Sequence, residues 1–144
     1  MKFHTVLDAN PKGVIIDLRG NPGGFVDLGV FLSSFFVAEK DLDLGKQISR
    51  DGTLYLTIYP RPPSHLYRGE VVVLIDELSA STSEVVAGGL QELGRVTVIG
   101  QRSAGKALPS MIKTLANGDR FQFVVADLLK PSGERFEESG VVPD

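Results

Sequence analysis

The sequence predicts a single α/β domain built on a mixed sheet, and three observations predict it. Residues 71–75 (VVVLI) form a continuous apolar run of the kind found in a strand buried on both faces. A helical pattern follows, with Val85, Val86, Leu90 and Leu93 on one side, and residues 95–100 return as a second strand. Strand, helix and strand in that order make a βαβ unit, whose crossover packs the helix back against the sheet. Two turn pairs, Asp51-Gly52 and Asn117-Gly118, sit between short alternating segments and predict two hairpins.

Taken in order, residues 13–18 (GVIIDL) read as a short buried strand that enters RGNPGG at once. Residues 19–24 supply turn chemistry and bare backbone amides through Gly20, Asn21, Pro22, Gly23 and Gly24. From 25 to 37 the apolar residues Leu28, Phe31, Leu32, Phe35 and Phe36 recur at helical spacing, with Asp27 in the first turn. Residues 38–46 read as irregular. Residues 47–50 and 53–59 form the first hairpin, Leu54, Leu56 and Ile58 facing one way and Tyr55, Thr57 and Tyr59 the other. A stiff PRPPSH connection (60–65) leads to the central unit, and residues 111–115 and 120–126 form the second hairpin. Residues 130–144, rich in Gly, Pro, Ser and Glu, read as surface loop.

Length and composition limit the function classes. A chain of 144 residues suffices for one domain, burying roughly 70% of the surface its unfolded form exposes. A net charge of −3 gives no basic face for nucleic acid. The absence of cysteine excludes disulfides and thiolate metal sites, and His4 and His65 are too few and too isolated to suggest a metal centre. No cofactor is implied. No apolar run approaches the roughly 20 residues a membrane span needs, and residues 1–10 hold no secretory apolar core.

Ligand sites in α/β sheets form where loops leave the carboxyl ends of parallel strands. Three loops qualify: RGNPGG, the serine-rich turn after Ile75, and SAGK after Ile99. Ser81 opens a helix and Lys106 ends the loop beyond the next strand, so a βαβ unit can bring them together as nucleophile and general base. A lysine serves as base only when its amine is neutral, which burial among apolar neighbours favours. Ala104, Gly105, Ala107, Leu108 and Pro109 flank Lys106 and include no acid. The amide of Thr82 at the helix start and one from the Gly23-Gly24 turn are candidate oxyanion donors. Each piece has a plainer reading. Ser81 or Ser83 would serve as an ordinary helix N-cap, Lys106 as a solvated side chain, NPGG as a tight turn, Asp17 and Arg19 as an ion pair, and Glu84 as a dipole partner.

Together, DLRGNPGG (17–24), LSASTSEVVAGGLQELGRVTVIGQRSAGKA (78–107) and GVVPD (140–144) resemble the C-terminal processing, or tail-specific, serine proteases in motif order and spacing. The resemblance covers most of residues 13–144. It implies a serine endopeptidase with a Ser-Lys dyad working through an acyl-enzyme, on a crotonase-like (ClpP/crotonase) spiral core with a mixed sheet. It assigns Ser81 as nucleophile, Lys106 as base, and Thr82 with Gly23 or Gly24 as oxyanion donors. The family often carries a glutamine four residues after the lysine; here Ser110 stands there. Family members usually place a PDZ domain before this core, so residues 1–144 read as the catalytic core alone, a minimal member or an excised piece, with no PDZ domain. The partner implied is a polypeptide with an unstructured C-terminal tail, and the compartment implied is an exported one, although no signal peptide is visible. Oligomeric state stays open, a homo-oligomer included.

Two other readings compete. GQRSAGKA (100–107) nearly spells a phosphate-binding loop, but Ala107 lacks the hydroxyl that holds Mg²⁺ and Pro109 interferes with the helix that should follow. A non-catalytic binding or assembly module on the same fold is the other, since fold does not fix function.

Overall fold

The structure, a computed structural model, describes residues 7, 9, 11–59 and 61–144. His4 and Pro60 therefore lie outside the described residues, as does most of the segment before Pro11. The elements are β1 (Gly13–Asp17), α1 (Val26–Ser33), β2 (Asp43–Ser49), β3 (Gly52–Thr57), a 3₁₀ turn (Pro63–His65), β4 (Glu70–Ile75), α2 (Thr82–Glu92), β5 (Thr97–Gly100), β6 (Ser110–Thr114), β7 (Arg120–Val124) and β8 (Ala126–Leu129).

The βαβ unit forms as its apolar pattern requires. β4 lies between β1 and β5 in a parallel sheet, with Val73 paired to Ile16 on one side and to Val98 on the other. Val71, Val73 and Ile75 are buried, while Val72 and Leu74 on the opposite face are half-buried. α2 covers the buried face with Val85, Val86, Ala87 and Leu90. Phe35, Phe36, Leu44, Phe136 and Val141 complete the core.

A crotonase-like spiral with a mixed sheet is not what the chain forms. Its strands divide among three open sheets: β1-β4-β5, all parallel; β3-β2-β8, all antiparallel; and the separate β6-β7 ribbon. The outer edge of β5 is taken up by Asp144. The Val98 amide donates to Asp144 Oδ2 at 2.7 Å, and the Asp144 amide to the Val98 carbonyl at 2.9 Å. β2 already has a partner on each edge, and β6-β7 stands away from both larger sheets with every residue exposed.

Three further expectations shift. α1 stops at Ser33 rather than running to 37, because Ser33 Oγ–H and Ser34 Oγ–H turn back onto the Gly29 and Phe31 carbonyls at 2.9 and 2.6 Å. Phe35 and Phe36 then enter the core from a turn, not a helix. β2 begins at Asp43, four residues before the predicted 47, and Leu44 within that extension is fully buried. The 130–144 segment is a core wall, not a surface loop, since Phe136 is 0% and Val141 1% exposed.

Candidate active site

The three loops do converge, and backbone bonds lock them together. From the RGNPGG turn, the Asn21 carbonyl accepts the Ala80 amide and the Ser83 hydroxyl, both at 3.0 Å. Thr82 Oγ1–H donates to the Gly24 carbonyl at 2.8 Å. From the lysine loop, the Lys106 carbonyl accepts the Ser81 amide at 3.0 Å, and the Ala104 amide donates to the Ser79 carbonyl at 2.9 Å. Ser79, fully buried, donates its hydroxyl to the Leu18 carbonyl at 2.7 Å. The Asp76 carboxylate takes the Gly20 amide at 2.9 Å; this bond, with those from Leu78 and Ser79, pulls its pKa below the usual carboxylate range.

Ser81 is set apart from its neighbours. It precedes α2 with φ +56° and ψ −120°, a conformation a side chain rarely adopts. Such strain persists only where the surroundings enforce it, and it clusters at active sites. Ser83 and Ser79 spend their hydroxyls on the loops, whereas Ser81 is the N-cap of α2, its side chain facing the Glu84 amide in a capping box and donating to neither loop among the described residues. Ser81 therefore does cap α2, but an ordinary cap does not call for so strained a backbone.

The residue that organises this arrangement is Glu84. Its side chain is 0% exposed, and its Oε2 accepts the Ser81 amide at 2.9 Å and the Lys106 amide at 3.1 Å. Its Oε1 accepts Ser103 Oγ–H at 2.6 Å and the Gly105 amide at 2.8 Å. One buried carboxylate thus fixes both the serine turn and the lysine loop. The Ser81-x-x-Glu84 spacing signals the first half, because it is that of a capping box; the reach to residues 103–106 has no local signal. Glu137 is a second residue the sequence reading missed: its Oε2 accepts the Ala107 amide at 2.7 Å from the chain's last segment.

The other candidates fall as follows. Gly23 has φ +95°, and a Cβ on it would lie 2.8 Å from both Ser81 Cβ and the Thr82 nitrogen, so only glycine lets this turn approach the serine. The Gly23 amide is already donated to Asn21 Oδ1 at 2.9 Å, whereas the Gly24 and Thr82 amides have no acceptor among the described residues. Ser81, Thr82, Gly24 and Ser110 line one cleft of about 390 Å³, with Gln47 and Leu128 on its far wall. Ser110 Oγ accepts Gln122 Nε2–H at 2.7 Å. Lys106 departs from expectation: its side chain is exposed, not dry among apolar neighbours. The 101–109 loop runs into β6 without an intervening helix, which removes the phosphate-loop reading. A second cavity of about 410 Å³, mostly apolar, opens beside Gly23, Gly24 and Thr82, between Leu28 and Leu32 of α1 and Val86 of α2.

Over 147 residues the chain is 32% identical to the chloroplastic carboxyl-terminal-processing peptidase 3 of Arabidopsis thaliana, covering 98% of this chain and 27% of that protein. It is 29% identical over 148 residues to the carboxyl-terminal-processing protease of Synechocystis sp., covering 99% of this chain and 32% of that one. The solved structure of a photosystem II D1 C-terminal processing protease superposes with a TM-score of 0.83 at 29% identity, over 99% of this chain and 36% of the other. The chain thus spans about a third, or less, of the length of these relatives. The model of peptidase family S41 matches residues 2–144, and to that family the chain belongs.

Proposed function

We propose that residues 1–144 form the catalytic core of a serine endopeptidase that cleaves polypeptides at their C-terminal tails through a Ser81-Lys106 dyad. The observation that carries this reading is Ser81 itself: a serine of strained backbone at the mouth of α2, its amide bonded to the carbonyl of Lys106. Membership of family S41 and relatives named as carboxyl-terminal-processing proteases support the same chemistry.

Lys106, as the neutral amine, takes the proton from Ser81 Oγ as that oxygen bonds to the scissile carbonyl carbon. The amides of Thr82 and Gly24 hold the oxyanion, Gly24 being preferred to Gly23 because the latter's N–H is already bonded. The ammonium of Lys106 then gives its proton to the departing amine. Water repeats the sequence in reverse on the acyl-enzyme and restores Ser81. Since Lys106 is exposed in the free chain, the bound peptide supplies the cover that keeps its amine uncharged. Ser110, which lines the cleft beside Ser81 and accepts the Gln122 amide, is the residue assigned in this reading to orient that amine. The chloroplastic relative supports an exported or organellar compartment. No described helix is long and apolar enough to cross a membrane.

Exposure of Lys106 favours one alternative, a tail-binding module without catalysis on the same scaffold. A fluorophosphonate probe decides. Labelling of the chain that disappears in Ser81→Ala and falls steeply in Lys106→Ala supports the peptidase; labelling that persists in Ser81→Ala, or no labelling beside intact tail-peptide binding, removes it.

A further inference from the structure

The β6-β7 ribbon carries a free edge that the chemistry above does not use. Its register runs without a shift, from Ser110 opposite Val124 to Thr114 opposite Arg120. Two bonds just outside it set the phase of its ladder. At the turn the Leu115 amide donates to the Asp119 carbonyl at 2.8 Å, and at the open end the Val125 amide donates to the Pro109 carbonyl at 2.9 Å. Hydrogen-bonded and non-hydrogen-bonded pairs alternate along an antiparallel ladder. Met111 and Lys113 therefore bond to β7, while Ser110, Ile112 and Thr114 turn their backbone N–H and C=O groups to the outer edge of β6. None of those backbone groups has a partner among the described residues. Folded proteins blunt an open edge with proline, a bulge, charge or a covering segment. β6 (SMIKT) has no proline, no register shift and a single charge, Lys113. An edge this plain is a template for another strand.

What fits the edge follows from where it starts. Ser110, the first residue of β6, lines the cleft that Ser81 and Thr82 also line, and no residue of β7 does. The 5 residues of β6 offer about 16 Å of edge at roughly 3.3 Å per residue. We propose that the outer edge of β6 is a docking strand for the substrate: an extended polypeptide pairs its backbone with Ser110, Ile112 and Thr114 and enters the Ser81 cleft at Ser110. Resting on the peptidase reading, this adds the chemistry that is recognised. Main-chain groups are the same in every sequence, so the edge selects an unfolded segment with free N–H groups rather than particular side chains. Proline is excluded wherever its nitrogen would face β6. Met111 and Ile112, 58% and 52% exposed, point to opposite faces of the ribbon and give the added strand apolar contact on both.

Binding tests it without requiring turnover. A fluorescent unstructured peptide, blocked at both ends, is titrated by anisotropy into the Ser81→Ala chain. N-methyl groups on alternate residues are tolerated, because all of them can face away from β6. The same number on adjacent residues weakens binding about tenfold, since one always meets the edge. Ile112→Pro, which removes an outward N–H and none of the bonds to β7, weakens the unmethylated peptide about tenfold, whereas Ile112→Ala, which keeps that N–H, costs about twofold. Val124→Pro, the matching change on the outer edge of β7, leaves the affinity unchanged. Should Ile112→Pro fail to fold, the two methylated peptides decide alone. Tolerated adjacent methylation, parent-like binding by Ile112→Pro, equal losses in Ile112→Pro and Val124→Pro, or no saturable binding overturns the proposal. So does a chain that doubles its mass through β6, as a second copy on that edge would, and binds no peptide. Fluorophosphonate labelling separates this from the peptidase reading: labelling lost in Ser81→Ala keeps that reading whatever Ile112→Pro does, and a paired edge on an unlabelled chain removes that reading alone.

Discussion

Glu84 Oε1 accepts the Ser103 hydroxyl proton at 2.6 Å while its other oxygen holds the Ser81 and Lys106 amides, so helix and loop share one buried anchor. Removing the carboxylate leaves three donors without an acceptor, Ser103 Oγ–H and the Gly105 and Lys106 amides, while the Ser81 amide keeps the Lys106 carbonyl. Glu84→Gln keeps the shape, but wherever the new amide nitrogen is placed it faces two donors. A loss of about 2–4 kcal/mol is expected, from a penalty of roughly 1–3 kcal/mol per buried unsatisfied group with partial relaxation. Fluorophosphonate labelling should fall with it. Ser103→Ala, which removes one donor to Glu84 and the acceptor of the buried Val141 amide, should cost less, about 1–2 kcal/mol. Urea unfolding of the two variants checks the ranking, and equal stabilities would show that Glu84 anchors only its own helix.

The two glycines of the NPGG turn should behave differently. At Gly23 an added Cβ would meet the Ala80 oxygen at 2.7 Å and Ser81 Cβ at 2.8 Å, at a φ of +95°. Gly24 has open space around the same position. Gly23→Ala therefore forces the turn away from Ser81, with strain on the order of 1–3 kcal/mol before the clash is counted. Gly24→Ala, at φ +156° with no atom within 4 Å, carries backbone strain without the clash and should be the less destabilised of the two. Thermal melts beside labelling rates test this, and the idea fails if Gly24→Ala is the less stable of the two.

Acid should loosen the rim that carries these turns. The Arg19 side chain and amide hold the Asp17 carboxyl down to about 2, and the bond from the Gly20 amide holds Asp76 below its usual range. Both groups have folded pKa values below the unfolded value of about 3.9. The unfolded chain then binds more protons, so stability is present above about pH 3.9 and is lost as pH falls towards about 2. Asp17→Asn and Asp76→Asn should each flatten the decline of melting temperature across that window. Unchanged slopes would show that these bonds form equally in the unfolded chain.

What could be read from the residues was local or periodic. VVVLI, the helix after it and the strand at Thr97–Gly100 carry their own patterns, and those patterns brought the three loops to one edge. Both hairpins form, the second around Asn117-Gly118, the first one residue early, with Arg50 and Asp51 in the turn and Gly52 already paired to Ser49. Division into three sheets was not legible, because sheet edges are settled by distant residues such as Asp144 on β5. The apolar neighbours of Lys106 do not bury it, since Ala107 turns inward while the lysine turns out. Glu84 looked like a helix-start charge because the loop it reaches, Ser103 to Lys106, lies about twenty residues along the chain.

The last segment shows how composition can mislead. FEESG reads as surface because four of its five residues are polar or glycine, yet Phe136 is fully buried. Its ring packs on α2 where Gly88 leaves room: a Cβ there would lie 2.8 Å from the ring and 2.9 Å from Val141. The same segment holds the lysine loop, through Glu137 Oε2 on the Ala107 amide and the Glu138 amide on the Gly105 carbonyl. Phe136→Ala should therefore cost about 3–5 kcal/mol, the range for emptying a buried aromatic site. Val142→Ala, at a side chain 61% exposed, should change stability by less than about 0.5 kcal/mol. Because the ring supports the loop that carries Lys106, Phe136→Leu, which keeps most of the volume, should fold while labelling Ser81 more slowly. Parent-like labelling in that variant would mean that the loop is positioned by Glu84 alone.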